Sequence, residues 1–304
     1  MTAKFPDFEK LQLTHQTLIN KIVSKFAPYC DFSFVSLWSY NLKDEVDISS
    51  LNGNLVVKFI DCVTNKVFLS FFGSNKFIDT CKKLIEYANL NGYENHLKVI
   101  PEIFVPKNSN NKNIKLILDR DNFDYVYELT QISALEGKKY DTKRYLYRKF
   151  IKNNQLFRVE TLDLKSKLTR KSIIKLFDQW KSIKNKSNED VLNEISALKK
   201  LLVHSDRFNL FGVGIYINGN LSAFSLNEIC QMKYAITHFA KTNYSFKGLN
   251  EALYKYTADY LMSSGCKYLN MEQDLGIKNL RYAKEIWQPV FYLKKFKAVK
   301  TTHG

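Results

Sequence analysis

A chain of 304 residues that is 45% hydrophobic and 14% aromatic can bury a sizeable core, which excludes a disordered protein and leaves one large domain or two of ordinary size. A formal net charge of +16 points to anionic partners, although 39 Lys against 7 Arg, with 27 Asn, also suggests an A/T-rich genome. The five cysteines (Cys30, Cys62, Cys81, Cys230 and Cys266) have no CxxC spacing, which excludes a close-spaced zinc or redox pair and reads as reduced thiols of a cytoplasmic protein.

The start, MTAKFPDFEK, lacks the apolar run of a signal peptide. The most apolar stretches, 66–72 and 208–217, are far shorter than the roughly 18–20 residues of a spanning helix, so a soluble or peripheral protein is expected. Residues 1–150 carry 21 basic and 17 acidic groups, a net +4, whereas 151–304 carry 25 and 13, a net +12.

Residues 7–27 have helical period, with Phe8, Leu11, Ile19, Ile22, Val23 and Phe26 as core contacts. Asn52-Gly53 marks a turn before the strand in LNGNLVVKFID, and NKVFLSFFG pairs with it as a hairpin. Ser74 or Asn75 caps a helix over about 76–90, closed by Asn91-Gly92. HLKVIPEIFV is a further strand, stopped by the loop PKNSNNKN, and 124–129 is a short strand or the start of a helix. Residues 138–152 form a basic helix, with seven cations and one acid. On it Leu146/Phe150 and Tyr147/Ile151 make an apolar face, and Arg144, Arg148 and Lys152 line one edge.

After the strand FRVETL come helices at roughly 169–184 and 189–203, then a hairpin about Asn218-Gly219. YAITHFAKTN is the next strand. The helix that follows shows a stripe of Leu249, Ala252, Leu253, Tyr256, Tyr260 and Leu261 and ends at Gly265. CKYLNME is a strand, a short helix must end before Pro289, and VFYLKKFKA closes the chain as a strand.

Three stretches carry candidate chemistry. In TNYSFKGLNEAL, Lys247, Gly248 and a helix N-terminus form either an anion seat or an ordinary strand-to-helix turn. On the basic helix, Lys139, Lys143, Arg144 and Arg148 offer either a phosphate-contacting face or a solvated one. In YLNMEQDLGIKNLRYAKEIWQP, Asn270 and Glu272 share a strand face, with Asp274 within reach if the strand persists. Such carboxylates can act as a general base or orient an amine. Arg281 and Lys284, three apart on the next helix, neutralise them or grip a phosphate; alternatively Asp274 caps that helix and Glu272–Arg281 is a structural ion pair. His238, among apolar neighbours, reads as a hydrogen-bonded core residue. HExxH, P-loop, GxSxG and GxGxxG motifs are all missing, which excludes zincins, P-loop nucleotidases, elbow-type serine hydrolases and typical Rossmann enzymes.

GKKYDTKRYLYRKF (137–150) together with NMEQDLGIKNLRYAKEIWQPVFYL (270–293) resembles the DUF2156 family, which is similar to the C-terminal catalytic domain of phosphatidylglycerol lysyltransferase. The matching positions are Gly137, Lys138, Lys139, Lys143 and Arg144, then Asn270, Glu272, Asp274, Leu275, Gly276, Leu280, Arg281, Ala283, Lys284, Trp287 and Pro289. Met271, Asn279 and Ile286 depart from the family's usual Arg, Gly and Ser, and Asn250 stands where an acetyl-CoA pyrophosphate loop has a second Gly or Ala.

The resemblance implies an α/β (α+β) fold of tandem GNAT-like domains, mixed sheets flanked by helices, with the site where the halves meet. The expected division is 1–137 and 153–304, with 138–152 as a basic connecting helix. It implies a GNAT-superfamily acyltransferase or aminoacyltransferase that moves an aminoacyl group from a donor such as aminoacyl-tRNA to an anionic lipid or other acceptor. Glu272 and Asp274 are then the catalytic residues. Lys139, Lys143, Arg144, Arg148, Lys247, Gly248, Asn270, Arg281, Lys284 and Trp287 bind substrate or phosphate. No metal is expected, and acyl-CoA or aminoacyl-tRNA enters as donor substrate. The partners are anionic (tRNA, a phospholipid headgroup or CoA), and the location is cytoplasmic, with peripheral membrane contact. Acetyl-CoA-dependent N-acetylation of a small amine, and non-catalytic binding of RNA or anionic membrane, are the alternatives.

Overall fold

The computed structural model describes residues 2–61, 64–107, 112–183 and 189–301. Cys62 lies outside them; Cys30, Cys81, Cys230 and Cys266 are free thiols. In chain order, β1 (Glu9–Lys10), α1 (Gln16–Val23) and α2 (Phe34–Ser39) precede β2 (Asp47–Leu51), β3 (Asn54–Ile60) and β4 (Val67–Phe72). Next come α3 (Phe77–Leu90), β5 (His96–Pro101), β6 (Ile114–Leu118), β7 (Asp124–Glu128), α4 (Leu129–Ala134) and α5 (Asp141–Asn153). The second half holds β8 (Phe157–Thr161), α6 (Lys167–Ile183), α7 (Glu189–Val203), β9 (Leu210–Ile217), β10 (Asn220–Ile229) and β11 (Tyr234–Thr242). It ends with α8 (Leu249–Ser263), β12 (Tyr268–Asn270), α9 (Lys278–Glu285), β13 (Phe291–Leu293) and β14 (Lys295–Lys300).

The chain forms two compact units. One is Met1–Asp124, Gln273–Arg281 and Tyr292–Gly304; the other is Tyr125–Glu272 and Tyr282–Phe291. The division expected from the sequence is contiguous, whereas these units are interleaved along the chain. The first has a four-stranded sheet, β1-β2-β3-β4, and a three-stranded sheet, β5-β14-β6. The second is built on the seven-stranded sheet β13-β7-β12-β11-β10-β9-β8. Two strands are exchanged between the halves of the sequence. β7 follows β6 in the chain yet pairs antiparallel with β12, and β14 follows β13 yet lies antiparallel between β5 and β6.

Local signals explain most elements. Asn218 (φ 50) and Gly219 (φ 78) make the β9–β10 turn with both central residues left-handed, the twist a two-residue hairpin needs. Gly265 (φ +85) follows the end of α8 as its left-handed stop. Phe150 of α5 and Leu249, Ala252 and Leu253 of α8 bury against Ile215, Ile217 and Ala223 of β9 and β10, with Tyr147 and Ile151 at the margin. These are the apolar stripes that the helical spacing predicts.

Four expectations are corrected. Residues 7–27 are helical only over a 3-10 turn, Leu13–His15, and α1, because Glu9 and Lys10 pair instead with Ile48 and Asp47 of β2. Neither Ser74 nor Asn75 caps α3: Lys76 (φ 43) holds that position, and the Asn75 N–H is taken by Asn54 Oδ1 at 3.0 Å. Residues 124–129 are not one or the other but both, β7 running straight into α4. The tail is two strands, β13 and β14, which join different sheets.

Gly248 (φ +87) is held by α5: a Cβ there would lie 2.0 Å from Leu146 O and 3.1 Å from Phe150 Cβ. Both the left-handed backbone and the close approach call for glycine. Gly248→Ala is expected to lower stability by at least about 1 kcal/mol, read as an earlier urea midpoint; an unchanged midpoint would mean that α5 yields without cost.

Candidate active site

In the seven-stranded sheet β11 and β12 form the parallel pair between antiparallel neighbours, β10 on one side and β7 on the other. With β10, β11 is antiparallel along most of its length; with β12 it is parallel, and only Tyr234–Ile236 pair, with Tyr268–Asn270. The ladder to β12 stops there. On the β10 side the register shifts: Asn227 faces Thr237 and Leu226 faces Phe239, so His238 is the extra residue of a β-bulge. Bulges re-aim side chains and recur beside active sites. A buried amide holds this one, since Thr237 Oγ1 donates to Asn227 Oδ1 (2.7 Å) and Asn227 Nδ2 donates to Phe211 O (3.1 Å) and Ser225 Oγ (3.1 Å).

The ring of His238 is 1% exposed and lies between two carboxylates. Nδ1 is 3.0 Å from Glu272 Oε1, and Nε2 is 3.0 Å from Glu228 Oε2. Burial alone would lower its pKa, but hydrogen bonds to Glu228 and Glu272 and their charge outweigh burial and raise it to about 9. Glu272 has the most exposed side chain of the three, at 24% against 15% for Glu228. Its backbone is left-handed (φ 58), unusual for a residue with a side chain, and strain of this kind gathers at functional sites. Two bonds hold it: Glu272 N–H donates to Asn270 Oδ1 at 2.7 Å, and Glu272 O accepts from Tyr125 N at 3.1 Å. Buried Asn270 thus serves Glu272 through the main chain.

The positive φ breaks the strand period, so Glu272 and Asp274 do not form a carboxylate pair on one strand face. They belong to different units. Asp274 is fully buried in the first unit, where it accepts from Arg281 Nε (3.0 Å) and Nη2 (2.8 Å), Arg120 Nη1 (3.1 Å) and Gly276 N (2.8 Å). Arg281 Nη2 also donates to Asp121 Oδ1 at 2.7 Å. The partner of Arg281 is therefore Asp274, and the partner of Glu272 is His238.

Four of the other cations are engaged too. Lys284 donates to Met271 O and stands over the Tyr125 ring at 5.7 Å. Lys143 is buried, 3.3 Å from Glu251 Oε1 and 4.6 Å from the centroid of the Trp287 ring, and buried Trp287 packs edge-on against Tyr254. Arg144 donates to Leu135 O, Gly137 O and Asp141. Lys139 is exposed and donates to Gln131 Oε1 at 2.6 Å. Arg148 and Lys247 are exposed, and Gly248 caps α8.

Two groups escaped the sequence reading. Glu228 has no local signal; only the β10–β11 register brings it to His238. The second is a buried cluster in the first unit. Lys295 Nζ lies 2.6 Å from Asp124 Oδ1, 2.9 Å from Gln273 Oε1 and 3.8 Å from Cys30 Sγ, and it pairs with Asp31. Donor atoms of Cys30, Asp31 and Asp124 fall within 4.8 Å of one another, the spacing of a three-ligand metal site, and the cation they face is the Lys295 ammonium.

A family model described as phosphatidylglycerol lysyltransferase, C-terminal, matches residues 32–299. No curated protein matches the chain. Among solved structures, a conserved protein of unknown function from Bacteroides thetaiotaomicron VPI-5482 is 23% identical at TM-score 0.82, covering 97% of this chain and 99% of that one. The C-terminal domain (DUF2156) of a putative lysylphosphatidylglycerol synthetase from Agrobacterium fabrum is 13% identical at TM-score 0.64, covering 95% and 92%. A tandem GNAT protein from the clavulanic acid biosynthesis pathway is 6% identical at TM-score 0.50, covering 98% and 99%. At these identities the likeness is one of fold, a mixed α/β, tandem GNAT-type architecture.

Proposed function

Since this chain belongs to the family of the phosphatidylglycerol lysyltransferase C-terminal domain, a transferase family of GNAT-like fold, we propose that it moves an aminoacyl group from an activated ester, such as aminoacyl-tRNA, to a hydroxyl or amine of an anionic lipid or comparable acceptor. The observation that carries this reading is Glu272, strained, partly exposed and braced by the bulge-aimed His238 where the β11–β12 ladder ends.

Glu272 takes the proton of the acceptor's hydroxyl or amine as that atom attacks the ester carbonyl. The tetrahedral intermediate collapses and expels the donor's ribose hydroxyl, which recovers the proton. With four donors on Asp274, the base is better assigned to Glu272, and Asp274 holds Arg281 and Arg120 in place. Exposed Lys139, Arg148 and Lys247 contact phosphates of donor or acceptor. Lys143, Arg144 and Lys284, bonded to protein oxygens, secure their own segments. None of the described helices is long and apolar enough to cross a membrane, so a lipid acceptor would be met from its surface.

An acetyl-CoA donor needs an open anion seat at the start of α8. There Leu146 O packs on Gly248, and the first-turn acid Glu251, paired with Lys143, already occupies the positive end of the helix; both favour the aminoacyl donor.

The test incubates the protein with aminoacyl-tRNA and phosphatidylglycerol vesicles and reads aminoacylated lipid by mass spectrometry. Glu272→Gln is expected to lower its formation at least about 10²-fold. Equal product from the variant would remove Glu272 from the chemistry, and product formed only from acetyl-CoA would replace the donor. Failure of wild type with every donor and acceptor, alongside salt-sensitive RNA or vesicle binding, would leave the binding-module reading.

A further inference from the structure

We infer that His238 and Glu228 are positioning residues for Glu272: an imidazolium clamped by a carboxylate on each nitrogen fixes one oxygen of Glu272 and gives the trio a net charge of minus one toward the substrate. This rests on the role proposed for Glu272.

The geometry sets the protonation. A neutral imidazole has one N–H, and its other nitrogen presents a lone pair. Here each nitrogen lies 3.0 Å from a carboxylate oxygen, so a neutral ring would set one lone pair against another at a site closed to water. Two protons turn both contacts into charge-assisted hydrogen bonds. The raised pKa of His238 agrees. The charged groups facing the ring are Glu228 from β10 and Glu272 from the segment after β12.

The clamp depends on the bulge, because without the extra residue His238 would have a β10 partner and point with the sheet's alternation. It also depends on the pinned backbone of Glu272, which cannot follow its side chain if the ring lets go. Glu228 acts only through His238. With that charge gone, burial pushes the ring toward its neutral form and Glu272 loses an ionic partner. Glu228→Gln keeps the size and a hydrogen-bond acceptor and removes only the charge, which makes it diagnostic.

The experiment follows His238 by NMR in the full chain labelled with 15N-histidine, with His238→Asn to assign its signals. In wild type both ring nitrogens should stay protonated well above neutral pH. In Glu228→Gln, with an unchanged circular dichroism spectrum, the titration should move down by at least about one pH unit, and the alkaline limb of the aminoacyl-transfer pH profile should move with it. A wild-type ring titrating near its ordinary 6.5 would overturn the inference without any variant. So would a titration indifferent to Glu228→Gln, or a pH profile that stays put while the titration shifts. If the titrations behave as stated and wild type transfers no aminoacyl group, the role of Glu272 falls and the clamp remains.

Discussion

Replacing Lys295 by methionine is expected to cost about 3–5 kcal/mol of folding free energy, because it strands two buried carboxylates without their cation. Lys295 is fully buried. Burial alone would lower its pKa, but Asp124 and then Asp31 outweigh it and hold the ammonium charged. Burial, with help from Asp124, raises Asp31 to about 6 against the pull of Lys295. A carboxyl raised in the folded state favours folding at low pH and loses that contribution as pH rises from the unfolded value toward the folded one. Without Lys295 the Asp31 carboxyl rises further, so the penalty of Lys295→Met should be smaller at pH 5 than at pH 8, where it must ionise unpaired. Urea unfolding at both pH values checks this. An equal penalty at both would mean that the cost is lost packing, not charge. Lys295→Met combined with Asp31→Asn should recover part of the loss, since the two sites share one network.

Stability is also expected to fall by about 3 kcal/mol as pH rises from 6.5 to about 9, through His238 alone. A histidine whose folded pKa exceeds its unfolded value binds its proton more tightly when folded. Its contribution is fully present below 6.5 and disappears as pH passes the folded value of about 9. Cysteines of the unfolded chain begin to ionise toward the top of this range, so the measurement is the difference between wild type and His238→Gln across that window. The variant should be the less stable protein at pH 6.5, and the gap should close toward pH 9. A gap that stays constant would show that His238 does not change protonation there.

Much of the architecture was legible in the chain because its signals are local. Asn218-Gly219 sets a turn from two backbone angles, and Gly265 stops α8 where its apolar stripe ends. The core-facing side of α5 was readable from residues four apart: of Leu146/Phe150 and Tyr147/Ile151, Phe150 is buried in the core and Tyr147 and Ile151 pack at its margin. The motif around Asn270–Trp287 marked a segment crowded with unlike polar groups, but not which of them meet. Lys143, expected on the basic helix 138–152 as a phosphate contact, is buried against Glu251, 108 residues away in the chain.

By itself, then, the sequence determined the mixed α/β class, the hairpins, the helix stripes and the family resemblance, all of which rest on periods and turns a few residues long. Only the tertiary structure decided who pairs with whom. β7 and β14 join sheets built by the other half of the chain. One register slip of β11 against β10 makes His238 a bulge and brings it to Glu228, while a left-handed backbone turns Glu272 toward the same ring. Lys295 meets Cys30 across 265 residues. The physical reason is that a charge buried far from its sequence neighbours takes whichever partner the register of the sheet delivers, and that register is chosen by the packing of whole faces.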